Sequence, residues 1–397
     1  MKRGLFYGWV CVAGAFLVQF LYGVQYSFGL FLGPLVKEFG CSRVALSLTP
    51  ALVYGVAIPA RPIWGKIVDA RGARFAFCVS CLLGGAGLAI SGLASRVWHL
   101  HLGYGLLWGA GWSAFFFTSS ALVRRWFVSK AGLALGLAGA GAPFGWAVVL
   151  PLTEWILESA GWRAGFFSLA ALTWLVGCVA AAMVRNSPEE LGLAPDGDCP
   201  GRSVTGGALA SAAEDWDLGQ AVRTSGFWMM AGVSLCQLTA LSITTVHGVE
   251  HCVAHGVARA TAAYVFGMMG LLSLSGKLGG GALGDSLVRR GVPAVTARGR
   301  VLGLSGLLMG LGVLLLIGLP VAQWLWVWAL VFGAGYGIHG PQYAAITGDM
   351  FGRKNIGLVM TVMTGVPGSL GGLIGPVLAG WIYDLTGRYD LGLWAAA

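Results

Sequence analysis

Long apolar segments separated by short polar ones run along this chain of 397 residues. A helix needs about 20 apolar residues to cross the hydrocarbon core of a bilayer. We predict membrane-spanning helices at 7–36, 45–68, 74–94, 98–122, 131–157, 163–184, 225–248, 260–284, 299–320, 322–347 and 356–383. A twelfth apolar segment begins at Leu391 and is expected to be truncated, because the sequence stops at Ala397.

The stretch 185–224 is the one long polar segment between the apolar runs, and it carries several prolines and glycines. Such a composition favours a flexible linker. We therefore predict an N-terminal six-helix half at 1–184, a linker at 185–224 and a C-terminal half at 225–397.

Composition supports a membrane protein over a soluble one. The chain is 57% hydrophobic and 10% charged, whereas a soluble domain averages about 25% charged residues. So few charges cannot cover a soluble surface, but they suffice for loops around a belt that faces lipid. The net charge of +9 would suit nucleic acid, yet the basic residues lie in short loops, so the expected partner is the lipid bilayer and not nucleic acid.

Basic residues are distributed unevenly between the two sets of loops. The set that includes Lys2, Arg3 and the linker holds about three times as many lysines and arginines as the opposite set. Loops rich in Lys and Arg stay on the cytoplasmic side. We predict a multi-pass protein of the cell (inner or plasma) membrane with a cytoplasmic N-terminus.

The two predicted halves repeat in the same direction. Gly65-x3-Asp69 after the second span recurs as Gly281-x3-Asp285 after the eighth. A second matched set consists of Gly132, Pro151 and Trp155 in the fifth span and Gly357, Pro376 and Trp381 in the eleventh. Parallel repeats of this kind place a substrate site between the halves near the midplane, and one half rocks against the other.

These features resemble the major facilitator superfamily. The segment from Gly65 to Arg74, with Asp69 and Arg71 inside it, is similar to the superfamily signature Gly-x3-Asp-x2-Gly-x-Arg between helices 2 and 3. Within the superfamily the chain resembles the bacterial monocarboxylate and oxalate/formate transporters. The segments that carry this likeness are 6–9, 23–29, 125–127, 223–228 and 349–352.

Two cations fall inside predicted spans, Arg61 in the second and Lys277 in the eighth. Each lies four residues before the glycine and eight before the aspartate of its Gly-x3-Asp repeat. Residues at this spacing share a helix face, and eight residues rise about 12 Å. Both cations are therefore expected near the midplane, where a charge is costly and marks a functional site.

The resemblance implies that Lys277 occupies the position of a carboxylate-binding arginine. A lysine is a point charge that can lose its proton on burial, whereas arginine is a fixed planar fork. Met363 stands where the oxalate-type pattern carries a second cation, which favours a monoanion over a dianion unless Arg61 supplies the second charge. Lys277 is thus predicted both to bind the anion and to be a candidate for proton coupling.

The resemblance also implies a pocket with few polar groups. Gln25 and Tyr26 match helix 1 pocket positions, and Phe116 and Tyr336 match aromatic positions on helices 4 and 10. Aromatic walls suit a small ligand with an apolar body. His339 lies three residues after Tyr336 and is a second candidate for proton coupling.

Two acidic residues and three histidines lie near the predicted outer ends of helices, where we predict no functional site. Glu154 and Glu250 fall there, so no carboxylate is expected at the midplane, and the field favours anions. His247, His251 and His255 have a spacing that resembles metal ligation on one face. Interfacial solvation is the preferred interpretation, and no metal site is predicted.

The predicted function is secondary active transport of a small organic anion, most simply proton-coupled monocarboxylate transport by alternating access. Two alternatives stay open: an organic-anion exchanger for a larger or dianionic substrate, and a non-transporting sensor on the same fold. The sequence contains no HExxH, GxSxG or phosphate-loop motif, so neither an enzyme with catalytic residues nor a cofactor is expected.

Overall fold

The computed structural model describes residues 6–127, 130–197, 216–318, 321–352 and 356–395. Within these ranges the chain is helical apart from turns and short irregular segments, and it contains no strand. The long helices are α1 (Gly8–Phe39), α2 (43–71), α3 (73–92), α4 (Val97–Trp126), α5 (131–160), α6 (162–183), α7 (Ser225–Ala254), α8 (Arg259–Arg289), α9 (Ala294–Gly318), α10 (Ala322–Phe351) and α11 (Leu358–Thr386). A short α12 (Asp390–Trp394) follows.

The predicted all-helical membrane architecture is confirmed in outline. Among the described residues, seven helical stretches are long and apolar enough to cross a membrane by length and composition. Two of them, Arg43–Gly92 and Ala131–Met183, each cover two predicted spans. Predicted residues 319–320 lie outside the described part of the chain. The remaining predicted segments coincide with α1 to α11 to within a few residues.

Single glycines join helices where the sequence offers no loop. Gly72, between α2 and α3, has a φ of 82°, and Gly161, between α5 and α6, has a φ of 81°. A side chain would clash in this left-handed region, which glycine enters without strain. The Arg74 amide donates to Asn186 Oδ1 at 2.9 Å, just beyond the first of these turns. One residue therefore ends one helix and lets the next begin in each case.

The helices group into two compact units. Unit 1 comprises 1–26 and 56–208, and unit 2 comprises 27–55 and 209–397. The division between units therefore passes through α1 after Tyr26 and through α2 after Gly55. Residues 198–215, where the division meets the linker, lie outside the described part.

Segment 27–55 is held within unit 2 by charged and aromatic contacts. The Arg43 guanidinium lies 4.3 Å from the Tyr383 ring centroid and 5.0 Å from that of Tyr389. The Asp384 carboxylate accepts hydrogen bonds from the amides of Arg43 at 3.0 Å and Val44 at 2.9 Å. These are the first amides of α2, which have no partner inside the helix, so Asp384 caps it.

An ion pair joins the facing ends of α7 and α8 to the same segment. Arg259 Nη2 lies 2.6 Å from Glu250 Oε1, and Arg259 Nη1 donates to the Leu30 carbonyl at 3.4 Å. The pair is mostly shielded from water, with Glu250 only 8% exposed at its side chain. A shielded pair of this geometry fixes both helix ends.

The predicted solvation of the α7 histidines is wrong for His247 and His251, which are both fully buried. His247 Nε2 donates to the Pro376 carbonyl at 2.9 Å, and His251 Nε2 donates to the Leu316 carbonyl at 3.0 Å. Each imidazole satisfies an inter-helix carbonyl, which offsets the cost of burying it. Only His255, at the helix end, is exposed.

Candidate functional site

In unit 2 the helices α8 and α10 approach each other at backbone distance. A side chain at Gly337 of α10 would collide with the Ser273 carbonyl and the Lys277 amide of α8. Small residues at a membrane helix interface allow this approach. The contact places Lys277 beside the segment of α10 that carries Tyr336 and His339.

Lys277 lies in the middle third of α8. It is twelve residues before the helix ends at Arg289, which corresponds to about 18 Å at 1.5 Å per residue. Its side chain is half-buried, and the ammonium group makes no hydrogen bond or ion pair with any residue of the described ranges. A cation at this depth without a protein counter-ion favours an anionic ligand.

A directed hydrogen-bond chain runs from His339 across three helices. The Gln237 Oε1 atom can only accept, so His339 Nδ1, 2.7 Å away, carries a hydrogen and donates it. Gln237 Nε2 donates to Ser305 Oγ at 3.1 Å, and Ser305 Oγ donates to the Gly335 carbonyl at 2.7 Å. With Nδ1 committed, the lone pair of a neutral His339 resides on Nε2.

Gln237 and Ser305 were missed in the sequence analysis. Their signal was present, since each is a polar residue inside an apolar span and both are buried. Buried polar side chains are nearly always hydrogen-bonded. Their partners could not be identified from one sequence, because Gln237 on α7, Ser305 on α9 and His339 on α10 are far apart in the chain and meet only in the folded unit.

Aromatic rings line the α10 side of this cluster. The His339 ring lies edge-on to Tyr343 at 4.5 Å between centroids and 6.2 Å from Tyr336. Tyr343 is buried, whereas Tyr336 is half-buried. Met363 is fully buried in a core cluster that also contains Tyr343.

In unit 1 the predicted pocket residues Gln25 and Tyr26 are bound to aromatic neighbours. Gln25 Oε1 accepts a hydrogen bond from Trp108 Nε1 at 2.9 Å, and the Tyr104 hydroxyl donates to the Gln25 carbonyl at 2.9 Å. The Tyr26 ring lies 3.9 Å from that of Trp146. Gln25 and Tyr26 are 4% and 7% exposed, so both contribute to packing.

Arg61 faces the aromatic pair on α4. Its guanidinium lies 5.6 Å from the Phe117 ring centroid, within the range of a cation–π interaction. Phe117 packs edge-on against Phe116 at 5.5 Å, and Phe116 is 46% exposed. Unit 1 thus brings Arg61 and the predicted aromatic residue Phe116 into one neighbourhood.

The two repeats of the loop motif make unequal ion pairs. In unit 1, Asp69 Oδ1 lies 3.8 Å from Arg125 Nη2, and the aspartate side chain is 84% exposed. In unit 2, Arg298 Nη2 lies 3.5 Å from Asp285 Oδ1, and its Nε donates to Asp349 Oδ2 at 2.6 Å. The arginine of unit 2 therefore ties α8, α9 and α10 together.

The remaining motif residues lie on the surface of their units. The Arg71 guanidinium lies 4.8 Å from the Phe75 ring centroid. Gly65 and Gly281 leave open space where a side chain would be. Neither glycine is needed for packing inside its own unit.

Over most of its length the chain is similar to a known family and to known proteins. The model of the Major Facilitator Superfamily matches residues 14–297. Monocarboxylate transporter 11 of Mus musculus is 31% identical over 97% of this chain and 83% of its own length. Monocarboxylate transporter 13 of Rattus norvegicus is 29% identical over 96% of this chain and 84% of its own length.

Solved structures give the same fold. A bacterial homolog to the human lysosomal transporter Spinster, in an inward-facing and unoccupied conformation, has a TM-score of 0.70 at 17% identity and covers 97% of this chain and 84% of its own. The nucleoside transporter NupG has a TM-score of 0.70 at 12% identity and covers 99% of this chain and 96% of its own. At these identities the likeness concerns the fold alone.

Proposed function

The chain belongs to the Major Facilitator Superfamily, and from this membership we propose that it moves a small monocarboxylate across the membrane together with a proton. As a member it is a multi-pass membrane transporter and not an enzyme. The substrate class follows the names of the similar proteins, which are monocarboxylate transporters. Alternating access is the mechanism that fits two parallel repeats.

The observation that carries the proposal is Lys277, a cation deep in α8 without a protein counter-ion in the described ranges. A carboxylate would supply the missing counter-charge and would be held where both sides of the membrane can be reached in turn. One cation of unit 2 offers one charge, which suits a monoanion. Met363, where a second cation would be needed, is a buried core residue.

Proton coupling is proposed to use His339 together with Lys277. The chain through Gln237 and Ser305 fixes one imidazole nitrogen, so the other is the one that takes and releases a proton. Protonation of His339 beside the pocket would raise the local positive charge and favour the anion. Release of the anion would then favour release of the proton.

The other predicted residues are proposed to shape the pocket. Tyr336 and Phe116 would contact the apolar body of the substrate. Gln25 and Tyr26 would keep the pocket-lining part of α1 in position. Arg61 would tune the field from unit 1. The loop motif residues Gly65, Asp69, Arg71, Gly281 and Asp285 are proposed to act in the conformational change.

We also propose the arrangement in the cell. The N-terminus and the linker at 185–224 would lie in the cytoplasm, by the excess of basic residues in their set of loops. The six-helix half at 1–184 and the C-terminal half at 225–397 would both be embedded in the inner or plasma membrane.

The test is uptake of labelled lactate, pyruvate and acetate into proteoliposomes, with and without an inward proton gradient. Uptake stimulated by the gradient is expected for at least one of the three. Uptake that needs a counter-substrate and ignores the gradient would select the exchanger. Binding of these acids without any flux would select the sensor and reject the proposal.

A further inference from the structure

Three metal-ligating side chains meet at the end of unit 2 where α7 finishes. His251 lies in the last turn of α7, His255 follows the helix directly, and Asp390 is the first residue of α12. One ligand atom from each lies within 4.8 Å of the other two. The i and i+4 spacing of the histidines accounts for their shared face, and α12 adds the carboxylate.

The hydrogen bonds of both imidazoles fix which nitrogen is free. His251 Nε2 lies 3.0 Å from the Leu316 carbonyl, and His255 Nδ1 lies 2.9 Å from the His251 carbonyl. A carbonyl only accepts, so these two nitrogens carry the hydrogens. The lone pairs are therefore on His251 Nδ1 and His255 Nε2. Metal-binding histidines are oriented in this way, with the second nitrogen donating to a backbone carbonyl.

Two acceptor atoms then face each other in a buried position. His251 Nδ1 lies 3.4 Å from Asp390 Oδ1. Neither atom has a hydrogen-bond partner among the described residues, and both are shielded from solvent. Two lone pairs at this distance repel each other unless a cation or a proton lies between them.

We propose that His251, His255 and Asp390 form a binding site for a divalent transition-metal ion, with Zn²⁺ as the best fit. Two imidazole nitrogens and one carboxylate oxygen are ligands that Zn²⁺ prefers, in a set of three that leaves a fourth position open. His255 is exposed, which gives the ion a path from solvent. The site lies within unit 2 and does not depend on the proposed transport function.

Two other partners could neutralise the Asp390 carboxylate in place of a metal ion: Arg388 and a protonated His251. Arg388 Nη2 donates to Asp390 Oδ2 at 2.6 Å, but its side chain is 72% exposed and it leaves Oδ1 free. A proton on His251 Nδ1 would instead make a simple ion pair with Oδ1. Only a metal requires His255 as well, and this residue separates the two interpretations.

The experiment is a calorimetric zinc titration of the tag-free, chelator-treated full chain in detergent. We expect one zinc per chain, and at least about tenfold weaker binding for His255→Ala and for Asp390→Asn. His99→Ala is the matched control, because His99 caps α4 in unit 1, and it should bind zinc as the parent does. Unchanged zinc affinity in both ligand variants would overturn the proposal.

Thermal unfolding keeps the test decisive if a variant is poorly folded. Zinc should raise the melting temperature of the parent, since a ligand that binds only the folded state stabilises it. Asp390→Asn should lose this rise while keeping a metal-free melting temperature close to that of the parent. If the parent shows no rise, and Asp390→Asn lowers the metal-free melting temperature, the contact is an ion pair and the metal site is refuted.

Discussion

The central polar groups of unit 1 and unit 2 are used in different ways. In unit 1, Gln25 is committed to Trp108 and Arg61 lies against an aromatic ring. In unit 2, Lys277 has no protein counter-ion in the described ranges, and His339 is oriented with one nitrogen free. Two halves that repeat in sequence thus differ in chemistry. This difference supports the proposal that the charge of the substrate is bound by Lys277 and His339 of unit 2, while Gln25 of unit 1 serves packing.

Loss of the unit 2 cation should have the largest effect. Lys277→Ala is expected to lower uptake about 100-fold, equivalent to about 2.7 kcal/mol, because the carboxylate loses its counter-charge. Lys277→Arg keeps the charge and should retain part of the uptake. Lys37→Ala removes an exposed lysine at the end of α1 and serves as the control. Equal uptake by Lys277→Ala and the control would contradict the proposal that unit 2 supplies the counter-charge of the carboxylate.

Gln25 is expected to matter for stability and not for coupling. Gln25→Ala leaves the buried Trp108 Nε1 without its acceptor, which should cost about 1–3 kcal/mol of unfolding free energy. Thermal or denaturant unfolding of the purified protein measures this. Gln19→Ala should cost less, because the buried side chain of Gln19 in α1 makes no hydrogen bond to a described residue. If Gln25→Ala instead abolishes gradient stimulation at normal stability, unit 1 takes part in the chemistry.

In contrast to Gln25, His339 is expected to matter for proton coupling. His339→Gln keeps a polar side chain but cannot be protonated, so gradient-stimulated uptake should fall about tenfold. Exchange of labelled for unlabelled substrate at equal pH should be retained. His99→Gln is the matched control in unit 1. A parallel loss of exchange and stimulation would assign His339 to substrate binding or folding and not to coupling.

The smallest contrast concerns the two loop repeats. Asp69→Asn should cost less than about 1 kcal/mol, because its partner is 3.8 Å away and the aspartate is exposed. Asp349→Asn should cost about 1.5–3 kcal/mol, since it loses a short charge-assisted hydrogen bond at a site about four-fifths buried. Unfolding of both variants under the same conditions is the measurement, and equal costs would contradict this difference.

Much of the fold followed from the lengths of apolar segments and their repeat. Hydrophobic length fixes where helices lie, because each span must satisfy its own backbone in lipid. The glycine turns at Gly72 and Gly161 were less evident, since a single residue replaces a loop. The division of α1 and α2 between two units has no local signal, because it is set by packing between distant segments.

The site could be predicted less completely than the fold. Lys277 and His339 were identifiable, since a charged or titratable group inside an apolar span is conspicuous. The partners Gln237 and Ser305 were not, and the solvation predicted for His247 and His251 was wrong. A histidine near a helix end is buried or exposed according to which carbonyl faces it. Here the facing carbonyls belong to Pro376 and Leu316, more than sixty residues away in sequence.

The passage of segment 27–55 into unit 2 has a consequence for cutting the chain. Proteolysis within the linker would divide the chain into two fragments. The first fragment would still be bound to the second, because Arg43 contacts Asp384 and Tyr383. Separation of the fragments would break the contacts of Arg43 with Tyr383 and Tyr389 and would remove Asp384 from the first amides of α2. We therefore expect the two fragments to stay associated after the linker is cleaved.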